Sequence, residues 1–393
     1  MTVAADPAAE ILARCRRAAE DTALSGVRDW KAAHPGGLAI GSLPVYVPRP
    51  LFEAIGCLPV ALFGGGDRDI IRGDSYFQSY ICHIPRSTVE LALCGALDAL
   101  DGVVFPSTCD VIRNLGGMWQ LLFPDRWMAY LDLPQNFSLG SGGRFYAGEL
   151  ARIAGELAGR GARPLDPGAL REAIAAENDR RALLATLDVV RAREPWRLRA
   201  TEAYLAARAG AAMPARDHAA LLEDLLAAIR RREPRLVDNA RVVVAGSFCE
   251  QPPLELILTL EKAGCDIVDD DFQLGLRTIE GPITIAPGED PLHALARAYL
   301  ELGTATACRY IAEDRKGAAL VDRVRRAEAD GVVFAAASFC DPALLDQPML
   351  ETALDAAGIP HTSFKFAENT GQFQTIREQA GAFSDAVKLW GTA

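Results

Sequence analysis

The chain has 393 residues, half of them hydrophobic, with 41 basic against 52 acidic side chains and a net charge of −11. That length supports a large core divided over two domains, while the acidic balance excludes the electrostatic footprint of a nucleic-acid binder and obliges any anionic ligand to find local positive charge. No run of about 18 apolar residues could span a bilayer, and the opening MTVAADPAAEILARCRRAAEDTALSG carries charges where a signal peptide needs an apolar core, so the chain reads as cytoplasmic.

The first structured stretch is GGLAIGSLPVYVP, Gly36 to Pro48, a buried strand running into a loop. PLFEAIGCLPVALFGGG continues as a short helix, a strand and a glycine turn. Ser87 and Glu90 in STVE have the spacing of a capping box and predict a helix through VELALCGALDAL, followed by the strand GVVF and a helix from Val111 to Leu122. Alternation of this kind predicts a parallel sheet with helices on both faces. From Glu149 to Pro234 the composition shifts to Ala, Arg, Glu and Leu with helical periodicity, in REAIAAENDRRALLATLDVVRAR and HAALLEDLLAAIRRR. Alternation resumes with the strand RVVVAGSFC, the helix PLELILTLEKAG, the strand CDIVDDDF, a charged helix around AALVDRVRRAEAD, the strand GVVFAAASFC, a helix in ALLDQPMLETALDAAG and the strand IPHTSFKF. The expected architecture is α/β: a first α/β domain over residues 1–148, a helical connector over 149–235 and a second α/β domain over 236–393. The acidic run VDDDF is expected to turn the strand into a loop facing solvent or a partner subunit.

Nine cysteines in a reducing compartment point to metal, redox or burial rather than disulfides. CxxC, CxxCxxC and HExxH are all missing, so a compact zinc or ferredoxin-type loop is excluded and any cluster must draw on distant segments. Three such segments share one design. DGVVFPSTCD, VVVAGSFCE and DGVVFAAASFCD each run a buried strand through small residues to a Cys-acid pair, and Cys109, Cys249 and Cys340 stand six, seven and eight residues past the first valine. Each thiol therefore lies just beyond the carboxyl end of a strand, where open parallel sheets bind ligands. Cys82 in SYICHIPRSTVE joins them at a helix start, where unpaired amides stabilise a thiolate or an anionic cluster. The residues alone leave two readings open, a thiolate-held iron–sulfur cluster and ordinary buried thiols.

The stretches SYICHIPRSTVELALCGALDALDGVVFPSTCDVIRNLGGMWQ, LDLPQNF and GSFCEQPPLELILTLEKAGCDIVDDDFQLGLR resemble the C-type subunits of ATP-dependent (class I) benzoyl-CoA reductases, within the wider 2-hydroxyacyl-CoA dehydratase D-component family. The resemblance covers nearly the whole chain and is weakest over the helical connector. It implies two flavodoxin- or Rossmann-like parallel-sheet domains with a [4Fe-4S] cluster between them, single or part of a double cubane. The three-cysteine pattern of that family falls on Cys82, Cys109 and Cys340; Cys249 is the added candidate ligand. Cys15, Cys57, Cys94, Cys265 and Cys308 match no ligand pattern and are expected to be buried.

The activity implied is anaerobic dearomatisation of benzoyl-CoA or a substituted benzoyl-CoA to a cyclic diene, by successive single electron and proton transfers. So negative a potential lies at the end of the iron–sulfur range, roughly −700 mV, and needs ATP. This chain has no GxxxxGK[ST], so ATP is expected only on partners. The implied partners are a B-type sister subunit, two ATPase (activator) subunits and ferredoxin as electron donor, with neither nucleic acid nor membrane involved. His83 beside Cys82 is the candidate proton donor or hydrogen-bond partner of cluster sulfur, against a purely packing role. Arg113, with Arg86 and Asn114, is a candidate for a thioester, a CoA phosphate or the reduced cluster's charge. Glu250 and Asp110 are candidate proton relays, against ordinary helix capping. Trp119 and Met118 are expected in the core, the alternative being the wall of a ring-sized pocket. Two competing functions remain: a subunit of an (R)-2-hydroxyacyl-CoA dehydratase, and an electron-relay or scaffold subunit whose sister holds the substrate.

Overall fold

The structure is a computed structural model and describes residues 6–43, 47–65, 69–235, 237–247, 252–272, 278–306, 315–367 and 373–390. Two helices, α1 (Ala9–Ala19) and α2 (Ser25–Ala33), precede a first α/β unit of β1 (Ala39–Ser42), α3 (Arg49–Ala54), β2 (Leu58–Ala61), α4 (His83–Leu93), β3 (Gly102–Pro106), α5 (Asp110–Leu122) and β4 (Trp127–Leu131). The helices α6 (Arg144–Ala158), α7 (Pro167–Arg193), α8 (Ala200–Ala209) and α9 (Ala215–Ile229) come next. The second unit comprises β5 (Ala240–Ala245), α10 (Leu254–Lys262), β6 (Cys265–Asp270), α11 (Pro291–Leu302), α12 (Arg315–Arg326), β7 (Gly331–Ala337), α13 (Asp341–Ala356), β8 (His361–Phe366) and α14 (Phe373–Trp390). Among the described residues no helix is long and apolar enough to cross a membrane.

Both sheets are four-stranded and wholly parallel, in the orders β2-β1-β3-β4 and β6-β5-β7-β8. This is the first part of the flavodoxin-like order, and its switch point lies between the two central strands, β1 and β3 in one sheet and β5 and β7 in the other. The all-apolar central strands β3 and β7 are buried along their whole length, as strands covered on both faces must be. One core cluster runs from Ile40 and Val104 of the first sheet through Tyr146 and Leu170 to Val242 and Val333 of the second.

The repeated DGVVF has a physical cause in this arrangement. Ala39 N–H donates to the Asp101 carboxylate at 2.8 Å and Asp101 N–H to the Ala39 carbonyl at 2.9 Å. Asp330 binds Arg241 of β5 in the same reciprocal way, both bonds being 2.7 Å. Each aspartate thus fastens the start of one central strand to the other. The glycine after it has neighbours where a side chain would begin: a Cβ on Gly102 would run into the Trp127 ring, and one on Gly331 would lie 2.7 Å from the Phe383 ring and the Pro360 carbonyl.

The longest helix, α7, starts cleanly at Asp166, whose carboxylate accepts from Ala169 N–H at 2.8 Å, with Pro167 in the first turn. It then buries charge. Glu177, Arg180, Arg181 and Arg191 are all at most 5% exposed. Arg180 pairs with Glu177 at 2.6 Å, Arg181 donates to the carbonyls of Ile279 (2.6 Å) and Gly281 (2.9 Å), and Arg191 pairs with Asp188 at 3.0 Å and with Asp270 of β6. The acidic run that ends β6 is therefore not a solvent-facing turn. Asp269 pairs with Arg323 at 2.9 Å, Asp270 is 5% exposed against Arg191, and Asp271 accepts from the Gly246 and Ser247 amides at 2.6 and 3.0 Å. Asp269 and Asp270 meet guanidiniums and Asp271 meets two loop amides, so all three carboxylates have partners inside the fold, though burial pushes Asp271 up to about 6.

Next to Arg180 sits His218 of α9, fully buried, with Nε2 2.8 Å from the Ala206 carbonyl and Nδ1 3.3 Å from Arg180 Nη1. Since guanidinium only donates, Nδ1 accepts and Nε2 carries the proton. Burial first, and the Arg180 charge second, push the imidazole down to about 3 from its usual 6.5. The unfolded chain therefore takes up a proton below 6.5 that the folded chain refuses, and the stability this group contributes is present above pH 6.5 and lost as pH falls towards 3. Between pH 7.5 and pH 5 this site alone should remove roughly 2 kcal/mol. Urea unfolding of wild type and His218→Gln at the two pH values should show the variant losing less by about that amount.

Candidate functional site

In a parallel sheet the helix after a strand starts at the strand's carboxyl edge, and the chain places three cysteines at such starts. Cys82 is the N-cap of α4, Cys109 of α5 and Cys340 of α13. Cys109 and Cys340 each stand three residues past the end of a central strand, β3 and β7. The matching strand exits are held alike, with Ser107 N–H donating to the Leu131 carbonyl (2.9 Å) and Ser338 N–H to the Phe366 carbonyl (2.7 Å). Cys82 and Cys340 are 7% and 5% exposed, and Cys109 is half-buried.

Electrostatics links Cys109 of the first unit to the strand end that carries Cys340. Burial raises the Cys109 thiol, the backbone amides of Ile112 and Val111 pull it down, and the carboxylates of Asp110 and Asp341 push it up again. Asp341 is the residue after Cys340, so the end of β3 and the end of β7 lie within electrostatic reach of one another. A thiol kept protonated by burial and carboxylates ionises when a cation occupies the site. Thr108, 6% exposed and adjacent to Cys109, has a hydroxyl without a hydrogen-bond partner among the described residues, the kind of buried polar atom that a bound group satisfies. Soft thiolates on amide-rich helix starts fit an iron–sulfur cluster. Among the described residues no three His, Cys, Asp or Glu side chains converge as a mononuclear metal needs.

Phe339, just before Cys340, has a left-handed backbone (φ 66°). A bulky residue there costs about 1–3 kcal/mol and persists only where the surroundings impose it. That turn redirects the chain from β7 into α13 at the cysteine.

His83 is the first residue of α4 and is 8% exposed. It faces the glycine turn after β2: a Cβ on Gly64, itself left-handed at φ +79°, would stand 3.6 Å from His83 Nδ1 and 2.9 Å from Ser87 Oγ. The expected capping box does not form. The helix begins four residues before Ser87, at His83, because Pro85 fits the first turn where amides need no partner. Ser87 Oγ instead accepts from Gly65 N–H, and Glu90 accepts from the amides of Ile71 (3.0 Å), Arg72 (2.6 Å) and Gly73 (2.8 Å). Both residues thus clamp the loop between β2 and Cys82.

Arg113 is exposed on the first turns of α5, and Asn114 and Asp110 are exposed beside it. Arg86 is ion-paired with Asp74 at 2.8 Å, which occupies it structurally. Trp119 is 1% exposed, with its ring 5.5 Å from Phe105 and 4.7 Å from Phe123, and so is core; Met118 is half-buried. Tyr130 of β4 escaped the sequence reading. Burial raises its phenol, a hydrogen bond with Ser107 lowers it, and the charge of Asp132 raises it, with Arg113 lowering and Cys109 raising it further, so it lies within electrostatic reach of both. Its only sequence signal is the alternation of WMAYL. Cys249 and Glu250 lie outside the described residues, as does Cys308.

Of the other cysteines, burial pushes Cys15 up to about 11 and both Cys57 and Cys265 up to about 12. Cys57 and Cys265 lie at the amino edges of their sheets, away from the site. Cys94 departs from the expected burial: it is exposed at the end of α4, where the helix has left the core.

Comparison with known proteins adds a second line. The sequence profile of the family described as 2-hydroxyglutaryl-CoA dehydratase, D-component, matches residues 44–387. The chain is 46% identical over 384 residues to the C-type subunit of benzoyl-CoA reductase from Thauera aromatica, covering 97% of this chain and 99% of that one. It is 27% identical over 362 residues to the lactoyl-CoA dehydratase beta subunit of Anaerotignum propionicum, covering 91% and 94%, and 25% identical over 353 residues to the (R)-phenyllactyl-CoA dehydratase beta subunit of Clostridium sporogenes, covering 90% and 92%. With a near full-length profile match, a full-length relative at 46% identity and thiols at corresponding strand ends of two like sheets, the chain belongs to the 2-hydroxyglutaryl-CoA dehydratase D-component family.

Proposed function

We propose that this chain is the iron–sulfur subunit of an ATP-dependent benzoyl-CoA reductase, adding two electrons and two protons to the ring of an aromatic acyl-CoA to give a cyclic diene. The observation that carries this reading is the 46% identity, across 97% of the chain, to the C-type subunit of a benzoyl-CoA reductase; the dehydratase subunits stand at 25–27%. Cys82, Cys109 and Cys340, joined by Cys249, would hold a [4Fe-4S] cluster, which when bound supplies electrons singly at low potential. Thr108 would donate its unpaired hydroxyl towards that group. His83, at the start of the same helix that Cys82 caps, would deliver a proton, with Glu250 and Asp110 relaying to solvent. Exposed Arg113, within electrostatic reach of Tyr130, would meet the negative charge of the thioester or CoA. A B-type sister subunit, two ATPase subunits and ferredoxin would complete the complex, and ATP would bind only on those ATPase subunits.

The ligand assignments are open to direct test. Cys82→Ala, Cys109→Ala and Cys340→Ala should each lower bound iron in the anaerobically purified complex and abolish turnover, while Cys94→Ala, on an exposed thiol, keeps both. Wild-type iron in all three variants would refute the ligand set. Consumption of reductant and ATP in step with product separates the reductase from a dehydratase, which needs electrons only for priming.

His83→Gln should retain the iron and the EPR signal but cut turnover by about a hundredfold, the usual share of a general acid. Arg113→Gln should raise the acyl-CoA KM with the EPR signal unchanged if its charge meets substrate. Normal turnover and KM in both variants would place the substrate on the sister subunit and leave this chain as the electron relay.

A further inference from the structure

Two segments that the candidate site does not use are basic out of proportion to the chain. RAREPWRLR, Arg191 to Arg199, and RRREPR, Arg230 to Arg235, hold eight arginines against two glutamates in a chain that is acidic as a whole. The fold brings them together, Arg197 Nη1 donating to the Arg230 carbonyl at 2.8 Å and Arg232 Nη1 to the Arg197 carbonyl at 2.6 Å. Arg191 is buried against Asp270, Arg197 pairs with Glu194 at 3.1 Å, and Arg232 pairs with Asp6 and Glu202 at 2.6 and 2.7 Å. Arg193, Arg230, Arg231 and Arg235 are left over: they are exposed, and among the described residues none of their guanidiniums has a hydrogen bond or an ion pair. Arg193 and Arg235, with Trp196 and the half-exposed Val237, line a concavity of about 670 Å³. Asn239, Gly264 and Asp330, the residues just before β5, β6 and β7, line it too, so it lies at the amino edge of the second sheet, opposite the edge where Cys340 stands.

We propose that this basic concavity docks a partner subunit through a carboxylate-rich face of that partner. The lining decides between a protein and a small phosphorylated ligand. Four carboxylates also line the concavity and each is held by the fold: Glu261 accepts from the Thr201 N–H and hydroxyl at 3.0 and 2.8 Å, Asp266 from Asn239 at 3.0 Å and Asp330 from the Arg241 N–H at 2.7 Å, while Asp238 pairs with Lys388. A phosphate drawn inside meets those charges. The carboxylates of a broad protein face meet instead the exposed arginines, including Arg230 and Arg231, which are not part of the lining. Guanidiniums left to water gain charge-assisted hydrogen bonds when carboxylates arrive. Arginine and tryptophan are also the residue types that protein interfaces favour, and Trp196 already carries the Arg197 guanidinium 4.6 Å from its ring centre. The proposal is the same whether the complex is a reductase or a dehydratase, and a partner seated here leaves the thiol edge uncovered.

The test uses the complete, anaerobically purified complex, with subunit affinity read by sedimentation velocity over a dilution series. Arg193→Glu/Arg235→Glu should weaken the hold on one partner subunit by about tenfold or more, since like charges then face each other across the contact. Arg216→Glu, exposed at the other end of α9 and about 20 Å away along that helix, should match wild type. Wild-type affinity should fall as salt is raised from about 0.1 to about 0.5 M, and that of the double variant should change less. In Arg235→Lys, a zero-length carbodiimide should join the introduced amine to a carboxylate of the partner subunit. If circular dichroism shows the double variant misfolded, Arg231→Glu alone is read in its place. Assembly that survives the charge reversals overturns the proposal. So does a cross-link to a second copy of this chain, which makes the face a self-association surface. A cross-link suppressed by adenosine diphosphate, but not by sodium chloride of equal ionic strength, assigns the concavity to a phosphorylated small molecule and overturns it as well.

Discussion

Buried charge along one face of α7 is the constraint on which the relative placement of the two sheets depends. Glu177 and Arg180 meet Arg49 of α3 and His218 of α9, and Arg181 and Arg191 reach the Ile279 and Gly281 carbonyls and Asp270 on the other side. A buried pair is no great source of net stability, but leaving one member alone costs about 3–5 kcal/mol, so the network tolerates few geometries. The candidate site lies between the two sheets, and the separation of Cys109 from Cys340 is set by how the sheets are held. Through α7 the two units are joined by directional ion pairs and carbonyl contacts that a purely apolar contact would not specify.

The repeat in the sequence and the repeat in the structure are the same fact. DGVVF occurs twice because each sheet has a central strand whose preceding residue must be fastened to its neighbour and whose first must be small, met by Asp101 with Gly102 and by Asp330 with Gly331. Beyond the strand the two segments differ in length, and what is retained is Ser-x-Cys-Asp, Ser107 to Asp110 and Ser338 to Asp341. Strand types and parallel order were legible because fully buried strands read as short apolar runs between turn signals. The thiol positions were legible because a parallel sheet converts distance beyond a strand into place on one edge.

The misreadings have a common source. Ser87 and Glu90 have the local spacing of a cap, and VDDDF has the local polarity of a turn, but each took a partner distant in sequence. The glycine loop before α4 claimed the first pair, and the loop after β5, with Arg191 and Arg323, claimed the second. Polar side chains obey whichever donors the fold brings near, and those donors are not written beside them. Cys94 shows the converse: its apolar neighbours suggest burial, but the helix turns that position outward at its end. Tyr130 acquires its surroundings only when β4 pairs with β3.

The packing of α1 has a consequence for how the chain is made. The first sheet uses only residues 39–131, so its strands can pair, and the face with Leu97, Phe105 and Trp119 can close, while the rest is still being synthesised. The amphipathic α1 comes earlier in the chain yet packs into a cluster with Leu205, Leu222 and Leu225 of α8 and α9. Its apolar face, with Cys15, must therefore wait for nearly two hundred further residues before it has a partner. This early segment is buried long after it is made, and during that interval its apolar face is open to chaperones and to self-association.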